Sequence, residues 1–272
     1  MIKIKYSLIL ILIVFISCST KNTNDKKENL SDNSLKEIKE ETSINKKTIK
    51  IKSSDGIEVT ADLYEISDTT APVILLFHQA GYSRGEYIET APKLNKMGFT
   101  CLAVDQRSGN EVNGIKNETN KQAKEKGLGT KYEDALPDLK AALDYAKENF
   151  TNRQIILWGS SYSASLVFIL GSEYQDEISA IVSFSPGEYF TYNDQKIEYY
   201  AGKVQCPVFI TSAKNEHKDW EAVYNAVQGV EKTYFLPESK GKHGSRALWE
   251  KNEGHEDYWK AVTEFLSTVK SN

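Results

Sequence analysis

The stretch Ile155-Ile156-Leu157-Trp158-Gly159-Ser160-Ser161-Tyr162-Ser163-Ala164-Ser165 decides how this chain folds. Its first four residues are large and apolar with no polar alternation, which marks a strand buried on both faces. The Gly and Ser residues that follow are small enough for a tight turn. After them, residues 163–174 carry the spacing of an apolar helix. A strand that turns straight into a helix lets the helix cross the strand closely, and small residues at the turn are what such a crossing needs.

The same pattern extends in both directions. Short continuous apolar runs occur at 73–78, 100–105, 154–159, 178–184, 208–212 and 233–236. Helix-period stretches lie between and after them at 86–97, 133–149, 163–174, 220–228 and 258–269. Before the first run, 48–52 and 57–65 alternate apolar and polar residues around Ser54-Asp55-Gly56, the signal of a hairpin. The alternation predicts an α/β domain with a doubly wound, mostly parallel sheet and an N-terminal antiparallel hairpin. Residues 188–204, with four Tyr and one Phe, form the only sizeable insertion. It is too short for a lid domain and long enough to line a pocket rim.

Composition removes several functional classes. The 272 residues carry 34 Lys+Arg against 38 Asp+Glu, a net charge of −4. Nucleic-acid binding, which requires a basic excess, is not expected. Three Cys are too few for a disulfide scaffold, while 40% hydrophobic residues suffice for a core. No apolar run reaches the ~18–20 residues of a membrane-spanning helix.

The N-terminus reads as an address. Lys3 and Lys5 precede an apolar stretch from Leu8 to Ile16, followed by Ser17 and Cys18. A basic segment, a short apolar segment and a small residue at the cut site make a bacterial secretory signal. The Cys directly after the small residue resembles a lipobox, with Phe15 where Leu is commonest. The resemblance implies lipidation at Cys18 and a lipid anchor to the membrane of a bacterial cell envelope. The expected organisation is a lipoprotein signal peptide over 1–17, a polar flexible tether over 18–47 and the folded domain over 48–272.

Three further motifs set the chemistry. Gly159-Ser160-Ser161-Tyr162-Ser163 resembles the Gly-x-Ser-x-Gly nucleophile elbow of the α/β-hydrolase superfamily, with Ser163 in place of the last Gly. His78-Gln79-Ala80-Gly81 ends an earlier strand and resembles the His-Gly-x-Gly of family members. His243 sits in a Gly-flanked loop after the last predicted strand, where the family's catalytic His lies. His255, among Glu253, Glu256 and Asp257, reads instead as a solvated loop or helix start. The resemblance extends over 48–270 and is nearest the dienelactone-hydrolase-like and small esterase branches, with a minimal lid.

That resemblance implies a site. Ser161 is the nucleophile, His243 the base, and the backbone N–H groups of Ala80 and Tyr162 form the oxyanion hole, with Gln79 next in line. His78 precedes the nucleophile in the chain and is expected to orient its loop by hydrogen bonding. The acid is the open position. Family members carry Asp where this chain has Asn215, so adjacent Glu216 is the expected acid and Asp219 a poorer alternative. Asp105 and Arg107 resemble an Asp-x-Arg stretch expected to pair structurally. Cys101 reads as a buried thiol, and whether it is bridged to Cys206 is left open. No HExxH, CxxC or His cluster is present, so no zinc site is expected, and the resemblance implies no cofactor.

The implied function is an envelope-anchored serine hydrolase that cleaves an ester or related acyl bond of a small-molecule substrate. The alternative, suggested by Asn215 and Ser163, is a catalytically weak or inactive hydrolase-like binding module of the cell envelope.

Overall fold

The computed structural model describes residues 45–228 and 231–271. The signal segment, Cys18 and nearly all of the tether lie outside the described residues.

Strands β1 (Lys46–Lys52) and β2 (Glu58–Tyr64) pair antiparallel, with Lys52 opposite Glu58. The turn between them places Gly56 at φ +82°, a conformation open to Gly at little cost. Strand β1 begins at Lys46, two residues before the Thr48 expected for the hairpin. Next come β3 (Val73–Phe77) and β4 (Thr100–Val104), then a small hairpin of β5 (Glu111–Val112) with β6 (Ile115–Lys116). The remaining strands are β7 (Ile155–Ser160), β8 (Ala180–Phe184), β9 (Val208–Thr211) and β10 (Lys232–Phe235). Eight strands form one sheet in the order β1-β2-β4-β3-β7-β8-β9-β10. β2 meets β4 antiparallel, and every pair beyond it is parallel.

The helices are α1 (Thr90–Lys96), α2 (Glu118–Glu125), α3 (Leu136–Asn149), α4 (Tyr162–Glu173), α5 (Ile197–Ala201), α6 (His217–Ala226) and α7 (His255–Ser271). Residues of one strand divide between two cores, which explains the continuous apolar runs. Val73, Leu75 and Phe77 join the cluster containing residues of α3, α4, α5 and α6. Ile74, Leu76 and Trp158 face the opposite cluster, built with α1 and α7. The residues of α4 from Tyr162 to Gly171 are all buried, as expected of a helix apolar on every side.

Two predicted helices begin later than expected, for one physical reason. A helix over 86–97 would hold Pro92 in its interior, where the ring removes a hydrogen bond and clashes with the preceding turn. The chain instead makes a 3₁₀ turn at Arg84–Tyr87, capped by the Ser83 hydroxyl, and α1 starts at Thr90. Likewise, Pro137 lies in the first turn of α3, which follows a 3₁₀ turn at Glu133–Ala135. Neither α2 nor the β5–β6 hairpin is foreshadowed by hydrophobic spacing. The polar sequence of α2 has no apolar period, and its start is fixed by the Asn117 side chain, which accepts from Asn120 N–H at 2.8 Å.

Asp105 and Arg107 pair structurally, though not with each other. Asp105 binds Arg84 at 2.7 Å, and Arg107 binds the buried Asp138 at 2.6 Å and Asp55 at 2.5 Å. Cys101 is buried in β4, and both Cys101 and Cys206 are free thiols.

Candidate active site

β3 and β7 are neighbours, with Phe77 opposite Gly159, while the chain leaves β3 for β4 on the other side. This is a switch point of the sheet, where the loops beyond the strand ends diverge and leave a crevice. The loop after β3 and the turn after β7 therefore meet there.

The turn after β7 is sharply strained. Ser161 sits at φ +60°, ψ −122°, held by its N–H donating to Phe184 O at 2.8 Å. Such a backbone conformation is rare for a residue with a side chain and persists only where its surroundings enforce it. The packing explains the neighbours. A Cβ on Gly159 would run into the backbone of Ser163 and Ala164, so the strand-to-helix crossing admits no side chain there. Ser163, where the family motif has Gly, is accommodated: its hydroxyl donates to Phe77 O and accepts from Ser160 N–H, both at 2.8 Å.

Ser161 Oγ lies 2.8 Å from His243 Nε2, and His243 Nδ1 lies 2.9 Å from Glu216 Oε1. A carboxylate on Nδ1 fixes the proton at that nitrogen, leaving Nε2 to accept from the Ser161 hydroxyl. Glu216 is itself held by the Ser185 hydroxyl at 2.7 Å on its other oxygen. Burial alone would raise its carboxyl, but the hydrogen bonds from His243 and Ser185 and the charge of His243 hold it below the usual carboxylate range. Of the expected acids, the structure brings Glu216 to the imidazole; Asp219 lies within α6. His255 opens α7 with Nδ1 against Asn252 O, and His217 stacks on Tyr234 and meets Trp220 edge-on.

The loop after β3 is held by His78. Its Nε2 accepts from Gln106 N–H at 3.0 Å, so Nδ1 carries the proton and donates to Gln79 O at 2.8 Å. Burial pushes the imidazole down to about 4, which keeps it neutral. Gln79 O also accepts from Tyr82 N–H. In a trans peptide the N–H points opposite the carbonyl, so fixing Gln79 O fixes the direction of Ala80 N–H. The Gln79 N–H is already committed to Glu86 at 2.8 Å. The Tyr162 N–H opens α4, where no intrahelical acceptor exists for it.

Three contributors carry little or no sequence signal. Ser185, at φ +57° after β8, holds Glu216 and also accepts from Gly244 N–H at 2.9 Å. Its only sequence signal is its place at a strand end. Tyr132 stacks on Tyr162 at 4.8 Å and meets Tyr189 and Phe190 edge-on, giving the Ser161 side of the crevice an aromatic flank. The 188–204 insertion thus supplies part of the rim. Glu86 is the third, buried behind the crevice.

A hydroxyl bonded to an imidazole that is in turn bonded to a carboxylate can deliver an alkoxide-like nucleophile and return the proton later.

A model of the family described as serine aminopeptidase, S33, matches residues 68–265. Among solved structures, the chain is similar to the esterase Pf2001 of Pyrococcus furiosus, with 19% identity, 84% of this chain and 94% of that one covered, and a TM-score of 0.64. It is similar to a dienelactone hydrolase from Anabaena variabilis, with 13% identity, 83% and 98% covered, and a TM-score of 0.64. It is also similar to Est1E from Butyrivibrio proteoclasticus, solved with ferulic acid bound, at 16% identity, 82% and 100% covered, and a TM-score of 0.60. At these identities the likeness is one of fold. No curated protein matches the sequence.

Proposed function

We propose that this chain, which belongs to the serine aminopeptidase S33 family, is a serine hydrolase that cleaves carboxylic esters through an acyl-Ser161 intermediate. The observation that carries the reading is the unbroken hydrogen-bond chain Ser161–His243–Glu216, set on a strained elbow at the switch point.

In this reading Ser161 Oγ attacks the ester carbonyl while His243 Nε2 takes its proton. Glu216 keeps the Nδ1 proton and stabilises the imidazolium, and the Ala80 and Tyr162 N–H groups receive the oxyanion. The imidazolium then protonates the leaving alcohol, and water enters by the reverse sequence to free the acid and restore Ser161.

One feature favours an ester over a peptide N-terminus. The aromatic flank of Tyr132, Tyr189 and Phe190 suits an apolar acyl or aryl group, in keeping with the esterases and the dienelactone hydrolase among its neighbours. Neither departure from the family motifs argues for a non-catalytic binding module. Glu216 supplies the carboxylate absent at Asn215, and the Ser163 hydroxyl is hydrogen-bonded where Gly is usual.

The test is hydrolysis of short p-nitrophenyl esters by the wild type, Ser161→Ala and His243→Ala. Both variants should lose the activity by a similar factor, because members of such a unit do not contribute additively. His255→Ala should retain it. Activity that survives Ser161→Ala rules the reading out.

We place the enzyme at the bacterial envelope. Signal cleavage before Cys18 and acylation of its thiol would anchor it there, the acyl chains supplying membrane affinity. Cys18→Ser should abolish metabolic palmitate labelling and release the protein from the membrane fraction; labelling that persists contradicts the anchor.

A further inference from the structure

Glu86 is wholly buried, and the hydrolytic reading gives it no part in the chemistry. Burying a carboxylate is costly unless its oxygens are hydrogen-bonded. Here each oxygen is. Oε2 accepts from Gln79 N–H at 2.8 Å, and Oε1 accepts from the Ser160 hydroxyl at 2.8 Å. Ser160 Oγ in turn accepts from Ser245 N–H at 2.8 Å. The backbone of Glu86 is anchored as well, its carbonyl accepting from Trp249 Nε1 at 2.9 Å.

The sequence positions of these partners matter more than their number. Gln79 immediately precedes Ala80, the first oxyanion donor. Ser160 immediately precedes Ser161 and stands two residues before Tyr162, the second donor. Ser245 follows His243 by two residues. One carboxylate therefore joins the loop after β3, the elbow after β7 and, through Ser160, the loop that carries the base.

The three segments also meet sterically at this point. Gly244, at φ +71°, has room for no Cβ, because one would lie 2.5 Å from Gln79 Oε1 and 2.6 Å from Ser160 Oγ. The three segments are thus packed to contact around the Glu86–Ser160 pair.

We propose that Glu86 is the positioning residue of this site: by accepting from Gln79 N–H on one side and Ser160 O–H on the other, it sets the separation of the Ala80 and Tyr162 N–H groups that hold the oxyanion. The proposal rests on the hydrolytic reading. Glu86 touches neither the substrate nor the reacting atoms, and it acts only through the backbones it ties. Replacing the carboxylate by an amide leaves one acceptor where two are needed, so one of the two loops loses its tether. The consequence falls on the transition state, because the oxyanion exists only there.

The experiment uses the full chain, with the rate of fluorophosphonate labelling and p-nitrophenyl ester kinetics as readouts. Glu86→Gln should lower kcat about 10- to 100-fold, the scale of a displaced catalytic group, with KM within about twofold of wild type. Labelling should reach the same stoichiometry but be slowed by a similar factor, which a loss of folded protein would not produce. Ser160→Ala removes one arm of the tether and should show a smaller loss of the same kind. The double variant should lose little beyond Glu86→Gln alone, since both changes cut one connection. Wild-type labelling rates in Glu86→Gln, or a loss confined to KM, would overturn the proposal. If Glu86→Gln does not fold, Ser160→Ala decides, and an unchanged labelling rate there overturns it. A wild type that is never labelled would instead remove the hydrolytic reading on which the proposal stands.

Discussion

The Glu216 carboxylate meets the His243 imidazole at 2.9 Å from a position one residue beyond Asn215, where the acid of this fold usually stands. The 3₁₀ turn Lys214–Glu216 makes this possible. It brings Glu216 back toward Ala213 N–H, which donates to it at 3.2 Å, and the extra methylene of Glu spans the remaining distance. Ser185 then fixes the second oxygen.

Glu216→Gln is therefore expected to lower kcat strongly with KM nearly unchanged, because the carboxylate acts on an imidazolium that exists only near the transition state. In the chymotrypsin-type triad the acid-to-amide change lowers kcat about 10⁴-fold, and a loss of about 10²- to 10⁴-fold is expected here. Asn215→Asp should give no gain. Steady-state kinetics of both variants check this; a faster Asn215→Asp enzyme with an indifferent Glu216→Gln would move the acid to position 215.

Stability should carry two opposite pH signatures. Glu216 has a carboxyl held below its ordinary value, so its contribution is present above the ordinary carboxyl range and is lost as pH falls through the lower, folded-state value. Glu86 behaves in reverse. Burial pushes its carboxyl up to about 7, although the bonds from Gln79 and Ser160 and the charges of His243 and Arg246 oppose the rise. The folded state then holds a proton that the unfolded chain has already released, so stability falls as pH rises from about 4.5 to about 7. Urea midpoints of wild type and Glu86→Gln at pH 5 and pH 8 test this. The variant should improve relative to wild type at the higher pH, and a pH-independent difference would contradict the assignment.

Gly159→Ala should destabilise the domain as well as inactivate it. The new methyl meets backbone of Ser163 and Ala164 rather than the end of a flexible side chain, so the helix must shift. Overpacking of this kind costs about 1–3 kcal/mol or more. A thermal melt should show a clear drop, and a wild-type melting temperature would mean that α4 crosses β7 less closely than described.

The fold is legible in the sequence wherever burial imposes a pattern. Val73, Leu75 and Phe77 serve one core while Ile74 and Leu76 serve the other, so β3 has to be apolar throughout. The elbow is legible because strain and close crossing leave few residue choices at Gly159, Ser161 and Ser163. What escapes the sequence is whatever tertiary contacts decide. The helix α2 has no apolar face to reveal it and is held by Asn117 and by Thr119, whose hydroxyl accepts from Thr60 N–H. Pro92 and Pro137 are visible, but their effect is to move a helix start, and apolar spacing alone extends the helices past it. Ser185 and Glu86 serve the site through partners far along the chain, 31 residues to Glu216 and 74 to Ser160, and no local spacing announces them.

The proposed function makes Ser161 a nucleophile activated by His243 and Glu216. Its most direct test is titration of the purified protein with a fluorophosphonate, followed by peptide mapping. One equivalent bound at Ser161, absent from Ser161→Ala and strongly slowed in His243→Ala, is the predicted result. A folded protein that remains unlabelled at Ser161 under excess probe would contradict it.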